Sequence, residues 1–247
     1  MFNKVAIVTG ASSGLGYQVA RLLAERGVSV VAVGRSAEKL DVFAEFKNVV
    51  CVTADVTISE DVDRIVSEAE NRFGRLDILC NIAGMNDLSY PLEEVDDERW
   101  DRVMDVDLKA PFRICRRAIR TMIKSGGGSI VNVGSYAALR GNHGPTYTAA
   151  KAGLNGLTKS IAFYYAKDNI RCNVVNPGGM ATNIGETSGG KYHADGQKGL
   201  SDLCRAMPVN VYADPVLVAK TIVFLCGDDS VHINGADISV DGGMSCC

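Results

Sequence analysis

The stretch VAIVTGASSGLG, residues 5–16, decides the fold of this 247-residue chain. A short apolar run is followed by glycines at positions 10, 14 and 16 and then by the helical pattern YQVARLLAERG. Glycines at such a turn allow a tight bend and a close approach of the backbone to a phosphate, and the helix N-terminus offers unpaired N–H groups to the anion. The spacing is G-x-x-x-G-x-G rather than the more common G-x-G-x-x-G. In its strand–loop–helix context, the stretch predicts a dinucleotide-binding turn.

The alternation of apolar runs and amphipathic segments continues along the chain. Further strand-like runs lie at 28–33, 49–52, 76–80, 129–134, 170–175 and 236–240. Helical segments of roughly 10–20 residues separate most of them. Uniformly apolar strands separated by helices indicate a parallel sheet that is covered on both faces. We therefore predict an α/β fold in which residues 1–247 form a single Rossmann-type domain, with about seven parallel strands in a doubly wound sheet.

Helix starts and one long interruption complete the pattern. Thr57 and Glu60 fit a capping box, and Asp214 fits an N-cap followed by proline at the first helical position. The interruption at about 178–208 is rich in Gly and polar residues and directly follows a strand. Open α/β sheets bind ligands at the carboxyl ends of their strands, so we expect a substrate loop there.

Composition and charge narrow the functional classes. The chain has 26 Lys and Arg against 29 Asp and Glu, a net charge of −3 that favours neither nucleic acid nor an anionic membrane as a partner. No apolar run reaches the roughly 20 residues that span a bilayer, and a signal-peptide pattern is missing, so a cytoplasmic location is expected. The eight cysteines and three histidines lack zinc-ligand spacing, and no metal is expected. The terminal pair 246–247 is interpreted as exposed thiols, with a redox role as the alternative.

The end of the second predicted strand, VVAVGRSAEKL, bears on which dinucleotide is bound. Proteins that bind the ribose 2′-OH of NAD commonly carry an acidic residue about 20 positions after the glycine loop. Gly34 and Arg35 occupy that place here. A guanidinium can bind a 2′-phosphate in bidentate fashion, so NADP(H) is favoured and NAD(H) is the alternative. Arg35 could instead cover the adenine face, which it could do with either cofactor.

The motif YTAAK, residues 147–151, places a phenol and an ammonium four positions apart among small residues. On a helix the two side chains would face the same way, about 5–6 Å apart at Cβ. A phenol has an ordinary pKa of about 10, and a nearby cation favours its ionised form. Taken alone, the motif would also fit an alanine-lined packing face.

Together these motifs resemble the short-chain dehydrogenase/reductase family over essentially the full chain. The matching elements are TGASSGLG (9–16), ADV (54–56), NIAG (81–84), Ser135, YTAAK (147–151), NPG with Thr182 (176–182) and the terminal VDGG (240–243). The resemblance implies a nicotinamide-dependent oxidoreductase that interconverts a secondary alcohol and a ketone.

The resemblance also implies a role for each matching residue. Ser135, Tyr147 and Lys151 would form the catalytic set, in which Tyr147 exchanges a proton with the substrate oxygen and Ser135 hydrogen-bonds that oxygen. Lys151 would lower the pKa of the phenol and hold the nicotinamide ribose. Ser135 alone would fit a turn at the end of a strand, but its separation from Tyr147 matches the family. The expected cofactor contacts are Gly10, Ser12, Ser13, Gly14, Leu15, Gly16, Arg35, Asp55, Val56, Asn81, Ala83, Gly84, Tyr147, Lys151, Pro177, Gly178 and Thr182.

Two positions depart from the family pattern. Asp107 stands where the family usually has an Asn that helps hold a water chain leading to the lysine. An Asp keeps the backbone carbonyl and adds a negative charge near Lys151. We include Asp107 in the predicted catalytic set and expect activity to survive. Ile82 replaces the second Asn of NNAG and is expected to pack rather than to contact a ligand.

The sequence leaves the substrate open among small-molecule alcohols and ketones. The predicted substrate loop carries several apolar and aromatic residues, which favours a hydroxysteroid, a bile acid or another small hydroxylated substrate. These residues are Met180, Tyr192, Leu200, Leu203 and Met207. A 3-oxoacyl-carrier-protein reductase, which would need a basic surface for its acidic carrier, is the alternative.

Two further expectations concern catalysis and assembly. A non-catalytic nucleotide-binding scaffold is the alternative from a different class, but such proteins usually lose the tyrosine or the lysine, and this chain keeps both. Resemblance to the family implies a homotetramer, with a homodimer as the alternative. The helices at 109–124 and after Tyr147 would form the interface.

Overall fold

A computed structural model describes residues 3–141, 143–182, 184–206 and 212–246. The strands within these ranges are β1 Val5–Thr9, β2 Ser29–Gly34, β3 Val49–Thr53, β4 Ile78–Asn81, β5 Gly128–Val133, β6 Ile170–Pro177, β7 Gly179–Met180, β8 Tyr212–Ala213 and β9 Asp237–Val240. Seven of them form one parallel sheet in the order β3-β2-β1-β4-β5-β6-β9, and β7 pairs with β8 separately. The predicted parallel sheet is confirmed, and each predicted strand end lies within two residues of the observed one.

Alternate side chains of the strands face two separate apolar cores. Val5 and Ile7 of β1 pack with residues of three of the helices, and Ala6 and Val8 pack with residues of three others on the opposite face. A strand buried on both faces must be apolar throughout, which explains the uninterrupted apolar runs of the sequence. The predicted doubly wound arrangement is therefore confirmed.

The helices within the described residues cover both faces of the sheet. They are α1 Gly14–Glu25, α2 Ala37–Leu40, α3 Ser59–Phe73, α4 Asp97–Met104, α5 Ala110–Lys124, α6 Pro145–Tyr165, α7 Ile184–Thr187, α8 Ala194–Ala206 and α9 Pro215–Cys226. α1, α9 and Leu40 of α2 pack on one face, and α3, α5 and α6 pack on the other. The predicted start of α9 is confirmed, since the Asp214 carboxylate accepts a hydrogen bond from the Val216 N–H at 2.9 Å. In the described ranges, none of these helices has the length and apolar character that crossing a bilayer requires.

The predicted capping box at the start of α3 is wrong. The helix begins at Ser59, and the Thr57 hydroxyl donates to the Asp55 carboxylate at 2.7 Å instead of capping the helix. The Asp61 carboxylate accepts a hydrogen bond from the Asp55 N–H, also at 2.7 Å. These bonds fix the turn after β3, because they engage both the side chain and the backbone of Asp55.

The segment predicted as a loop at 178–208 contains regular structure. It holds β7, α7 and α8, and α8 begins next to His193, whose N–H donates to the Leu88 carbonyl at 2.9 Å. Gly196 in α8 lies so close to the Ser89 carbonyl that a Cβ would overlap it. Contacts with the loop after β4 therefore stabilise a helix whose glycine content disfavours it. Met207 lies outside the described residues, as do the side chains of Leu200 and Leu203.

Candidate active site

A cavity of about 610 Å³ opens at the carboxyl ends of the parallel strands. Residues that end or directly follow β1 to β6 line it, from Gly10 after β1 to Pro177 at the end of β6. The sheet order reverses between β1 and β4, and ligands of open α/β sheets bind at such a reversal. The cavity therefore lies where the sequence predicts the cofactor.

Nearly all the predicted cofactor contacts line this cavity. They are Gly10, Ser12, Ser13, Gly14, Leu15, Gly16, Arg35, Asp55, Val56, Ala83, Gly84, Tyr147, Lys151, Pro177, Gly178 and Thr182. Asn81 is the exception. Its side chain is buried and donates to the Asn132 side chain on the neighbouring strand at 2.8 Å, so it supports the sheet. Ile82, which was expected to pack, both lines the cavity and packs against the apolar core.

The glycine loop is shaped by two close approaches. Gly10 has a φ of 69°, and a Cβ there would lie 2.9 Å from the Ala83 nitrogen. A Cβ on Gly16 would overlap the Gly10 carbonyl, so α1 can start this close to the loop only with glycine at that position. The N-terminus of α1 consequently lines the cavity, in the orientation that suits a phosphate.

A threonine that the sequence analysis missed holds the segment after β4 in place. The Thr9 hydroxyl accepts hydrogen bonds from the N–H groups of Ile82 at 2.9 Å and Ala83 at 3.1 Å. Thr9 is the first residue of the TG pair that ends β1, so this contact joins the glycine loop to the NIAG segment. The adjacency of β1 and β4, which only the topology reveals, creates the contact.

Arg35 lies exposed on the cavity rim at the end of β2. A Cβ on its neighbour Gly34 would lie 3.0 Å from the Ser12 side chain, so a larger residue there would need Ser12 to move by a few tenths of an ångström. Neither position 34 nor position 35 carries the acidic residue that is common in NAD-binding proteins, and Arg35 supplies a positive charge instead.

Ser135, Tyr147 and Lys151 converge on the cavity. Tyr147 and Lys151 lie on one face of α6, are 7% and 4% exposed, and place the Lys151 Nζ 5.5 Å from the centre of the Tyr147 ring. The Nζ also donates to the Val133 carbonyl at 3.0 Å. Ser135 follows β5, where its N–H donates to the Asn176 side chain at 2.9 Å, and its hydroxyl hydrogen-bonds Tyr147.

The pKa of Tyr147 contradicts the expectation that the protein lowers it. Burial raises the pKa of Tyr147 well above its ordinary value, and the negative charges of Asp107 and Asp87 raise it further. The hydrogen bond with Ser135 acts in the opposite direction. The expectation that Lys151 lowers the pKa of Tyr147 overall is therefore wrong for the protein without a bound cofactor.

Asp107 lies behind Lys151 rather than in the cavity. It is fully buried in the π-helical turn Asp105–Lys109, which connects α4 to α5, and its Oδ1 lies 3.2 Å from the Lys151 Nζ. The same oxygen accepts a hydrogen bond from the Met85 N–H at 3.1 Å. Burial raises the pKa of Asp107, whereas Lys151 and the Met85 N–H lower it. Asp107 is thus a positioning residue, and its inclusion in the catalytic set is corrected accordingly.

Asp87 is a second buried carboxylate, and the sequence analysis did not single it out. It accepts hydrogen bonds from the Tyr147 N–H at 2.9 Å and from the Ser89 N–H at 3.1 Å. The residue before α6, Gly144, has no side chain to cap the helix, and a Cβ there would overlap the Asp87 carboxylate. Asp87 therefore caps the catalytic helix from a loop 60 residues earlier. The lack of a capping side chain before Pro145 is the one local signal that could have suggested it.

The cavity extends beyond Tyr147 into a region lined by apolar and aromatic residues. Its lining includes Met85, Tyr136, His143, Met180, Ile184 and Tyr192. β7, α7 and the chain before α8 form one wall, so the segment predicted to hold the substrate does border this end. Among the residues described, no three His, Cys, Asp or Glu side chains are grouped as a metal site would need.

Comparisons with known proteins agree with this arrangement. A family model described as enoyl-(acyl carrier protein) reductase matches residues 10–245. The chain is 34% identical to 3beta-hydroxysteroid dehydrogenase 2 of Eggerthella lenta, over 98% of this chain and 95% of that protein. It is 37% identical to cis-4-hydroxycyclohexanecarboxylate dehydrogenase of Sinomonas cyclohexanicum, over 98% and 97%. A crystal structure of levodione reductase matches with a TM-score of 0.90 at 30% identity, covering 100% of this chain and 99% of that one.

A doubly wound sheet, a glycine loop facing the cavity and a Tyr-Lys-Ser set define a nicotinamide-dependent oxidoreductase. With a family match over almost its full length, the chain belongs to the short-chain dehydrogenase/reductase family and acts on CH–OH groups. Membership implies a nicotinamide cofactor, and the cavity lining fits one, since the loop glycines leave room for a phosphate and Arg35 supplies a cation at the rim.

Proposed function

We propose that this enzyme uses NADP(H) to interconvert a secondary alcohol and a ketone on a small hydroxylated substrate of the hydroxysteroid or cyclohexanol type. The observation that carries the proposal is the convergence of Tyr147, Lys151 and Ser135 at the cavity. A non-catalytic nucleotide-binding scaffold would not need these three side chains to lie together. Tyr147→Phe should abolish turnover while leaving cofactor binding intact, and a fully active Tyr147→Phe variant would overturn the proposal.

The roles of the side chains follow from their positions. The nicotinamide, when bound, supplies or accepts the hydride. Tyr147 gives its proton to the substrate oxygen as the ketone is reduced and takes it back as the alcohol is oxidised. The raised pKa of Tyr147 keeps the phenol protonated at neutral pH, which suits proton donation. Ser135, already bonded to Tyr147, orients the same oxygen, and the Lys151 ammonium lies within 5.5 Å of the ring to stabilise the phenolate.

The preference for NADP(H) rests on Arg35 and on the lack of an acidic residue at positions 34 and 35. A guanidinium on the rim can bind a 2′-phosphate, and neither position offers a carboxylate that would bind a 2′-OH. Fluorescence titration with NADPH and NADH, side by side, tests the preference. We expect tighter binding of NADPH, and Arg35→Gln should weaken NADPH about 10–100-fold while leaving NADH nearly unchanged. Tighter binding of NADH than of NADPH by the unaltered protein would overturn the proposed preference for NADP(H).

The proposed substrate class is supported by the far end of the cavity. Methionine, isoleucine and tyrosine side chains there suit an apolar ring, and two of the similar proteins are named for cyclic alcohols. The alternative, reduction of a 3-oxoacyl carrier protein, is supported by 34% identity to such a reductase of Thermotoga maritima. Among the described residues that line the cavity, Arg102 is the one exposed basic side chain near the substrate segment. The apolar lining at this end, rather than the surface around it, is therefore our reason for favouring the cyclic alcohol.

We also propose assembly into a homotetramer, or failing that a homodimer, through α5 and α6. Phe112 and Ile123 on α5 and the pair Phe163 and Tyr164 on α6 expose large apolar surfaces, with Phe163 79% exposed. Exposed aromatic side chains of this size are typical of protein interfaces. Size-exclusion chromatography with light scattering tests the assembly, and elution at monomer mass would contradict it.

A further inference from the structure

His143 lies beside the catalytic tyrosine at the substrate end of the cavity. Its ring is 5.6 Å from the Tyr147 ring and 5.3 Å from the Tyr136 ring, measured between centroids. It lines the cavity from the turn directly before α6. The imidazole is therefore held between two aromatic rings, one of which carries the reacting phenol.

The two nitrogens of His143 differ in their surroundings. Nδ1 is buried and has no hydrogen-bond partner among the described residues. Nε2 likewise bonds no described residue, but it is not among the buried atoms, so it is the nitrogen that can face the cavity. Buried polar groups in proteins are nearly always hydrogen-bonded, so a mostly buried ring with no bond to a described residue points to a partner that enters the cavity.

The charge state of His143 limits what it can bond. Burial lowers the pKa of His143, and the negative charge of Asp87 only partly opposes this. The imidazole is consequently neutral near pH 7, with one nitrogen that donates and one that accepts. A neutral ring is poorly suited to bind an anion and well suited to bind a hydroxyl, which satisfies either tautomer because it can donate and accept.

We propose that His143 Nε2 binds a second oxygen of the substrate, so that the substrate is a hydroxy ketone or the corresponding diol. Tyr147 bonds the reacting oxygen, and we assign the second oxygen to a carbon next to the reacting one because the two rings lie only 5.6 Å apart between centroids. The reaction leaves that second hydroxyl unchanged: hydride adds to the carbonyl carbon, a proton from Tyr147 adds to its oxygen, and a diol results. This inference rests on the proposed function and narrows its substrate.

Packing alone does not account for a histidine at this position. A phenylalanine would make the same ring contacts with Tyr136 and Tyr147 and would bury no unsatisfied nitrogen. An unpaired buried polar group costs free energy that the ring contacts do not require. His143→Phe is for the same reason the informative variant, because it keeps the ring and removes only the hydrogen bond.

The test compares 2-hydroxycyclohexanone with cyclohexanone, with NADPH as cofactor. We expect the unaltered enzyme to show kcat/KM at least about tenfold higher for the hydroxy ketone. His143→Phe should remove that preference by lowering kcat/KM for the hydroxy ketone alone, and His143→Gln, which keeps a hydrogen-bonding group, should retain part of it. Titration with NADPH checks that each variant is folded.

The other outcomes separate this inference from the proposed function. If the unaltered enzyme reduces both ketones equally, or if His143→Phe impairs both equally, the second-oxygen subsite is overturned and the ketone-reductase function stands. If the unaltered enzyme binds NADPH but reduces neither ketone, the proposed substrate class fails and the subsite fails with it. Should His143→Phe not fold, His143→Gln decides. If His143→Gln lowers kcat/KM for both ketones by the same factor, so that their ratio is unchanged, the subsite is contradicted.

Discussion

Replacing Asp107 by Asn should move the pH dependence of catalysis towards acid. In the structure the Asp107 carboxylate lies 3.2 Å from the Lys151 Nζ, and that Nζ lies 5.5 Å from the centre of the Tyr147 ring. The carboxylate thus offsets the positive charge that would otherwise stabilise the phenolate, and it raises the pKa of Tyr147. Asn keeps the shape and the oxygen that accepts the Met85 N–H, so the substitution removes little except the charge.

The size of the pKa shift follows from the 5.5 Å between the Lys151 Nζ and the centre of the Tyr147 ring. At an effective dielectric constant of about 20, a unit charge 5.5 Å away changes the free energy of the phenolate by about 3 kcal/mol, or about two pKa units. Asp107 can cancel no more than this, so Asp107→Asn should lower the pKa of Tyr147 by about one to two units. Alcohol oxidation needs the deprotonated phenol, so its rate rises as pH passes through that pKa. The rising limb of the profile should therefore shift to lower pH by the same amount.

The assay is the pH dependence of kcat/KM for alcohol oxidation, measured on the unaltered enzyme and on Asp107→Asn. Asp101→Asn, which removes the same charge from an exposed position on α4, is the matched control and should leave the profile in place. The loss of a buried ion-pair partner should also lower stability, which changes the amplitude of the profile but not its midpoint. An unchanged midpoint, or a shift towards alkaline pH, would refute the electrostatic role of Asp107.

Three other substitutions have defined outcomes. Asp87→Ala removes the cap of α6 and should lower the free energy of unfolding, measured by urea denaturation, by about 1–2 kcal/mol. It should also reduce kcat more than it changes the Kd of NADPH. An unchanged kcat would contradict the effect of Asp87 on Tyr147. Gly16→Ala forces a Cβ into the Gly10 carbonyl and should lower stability by about 1–3 kcal/mol and weaken cofactor binding, as seen by thermal unfolding with and without NADPH. Gly156→Ala in α6, where a Cβ meets nothing within 4 Å, is its control and should raise stability by up to about 1 kcal/mol; equal destabilisation by both would contradict the close-approach argument.

The sheet and the glycine loop could be predicted because their signals are local. A strand buried on both faces has to be apolar throughout, and a turn that approaches a phosphate has to be glycine-rich, so both patterns are visible within about ten residues. The positions of Tyr147 and Lys151 on one helix face follow from helical periodicity in the same way. Every one of these features depends on neighbours in sequence.

The features that could not be predicted depend on residues far apart in the chain. Asn81 ends β4 and reaches Asn132 on β5, so its side chain points into the sheet rather than into the cavity. α8 forms in a segment with several glycines because the loop at 86–90 contacts it. No sequence pattern within the segment predicts that contact. Sequence patterns placed the elements, and tertiary contacts then decided which side chains each element presents to the cavity.

The pKa of Tyr147 shows why the chemistry of the site required the structure. The YTAAK motif supplies a cation near the phenol, and the motif alone predicts a lowered pKa. Burial reverses that result, and the charges of two buried carboxylates add to it: Asp107, from the turn between α4 and α5, and Asp87, from the loop after β4. The protein's own charges consequently hold the phenol in its protonated form, the form that donates to a ketone oxygen. Oxidation of an alcohol needs the phenolate, and the positive ring of an oxidised nicotinamide is the charge that would favour it. We therefore expect alcohol oxidation to need a higher pH here than in a relative with Asn in place of Asp107.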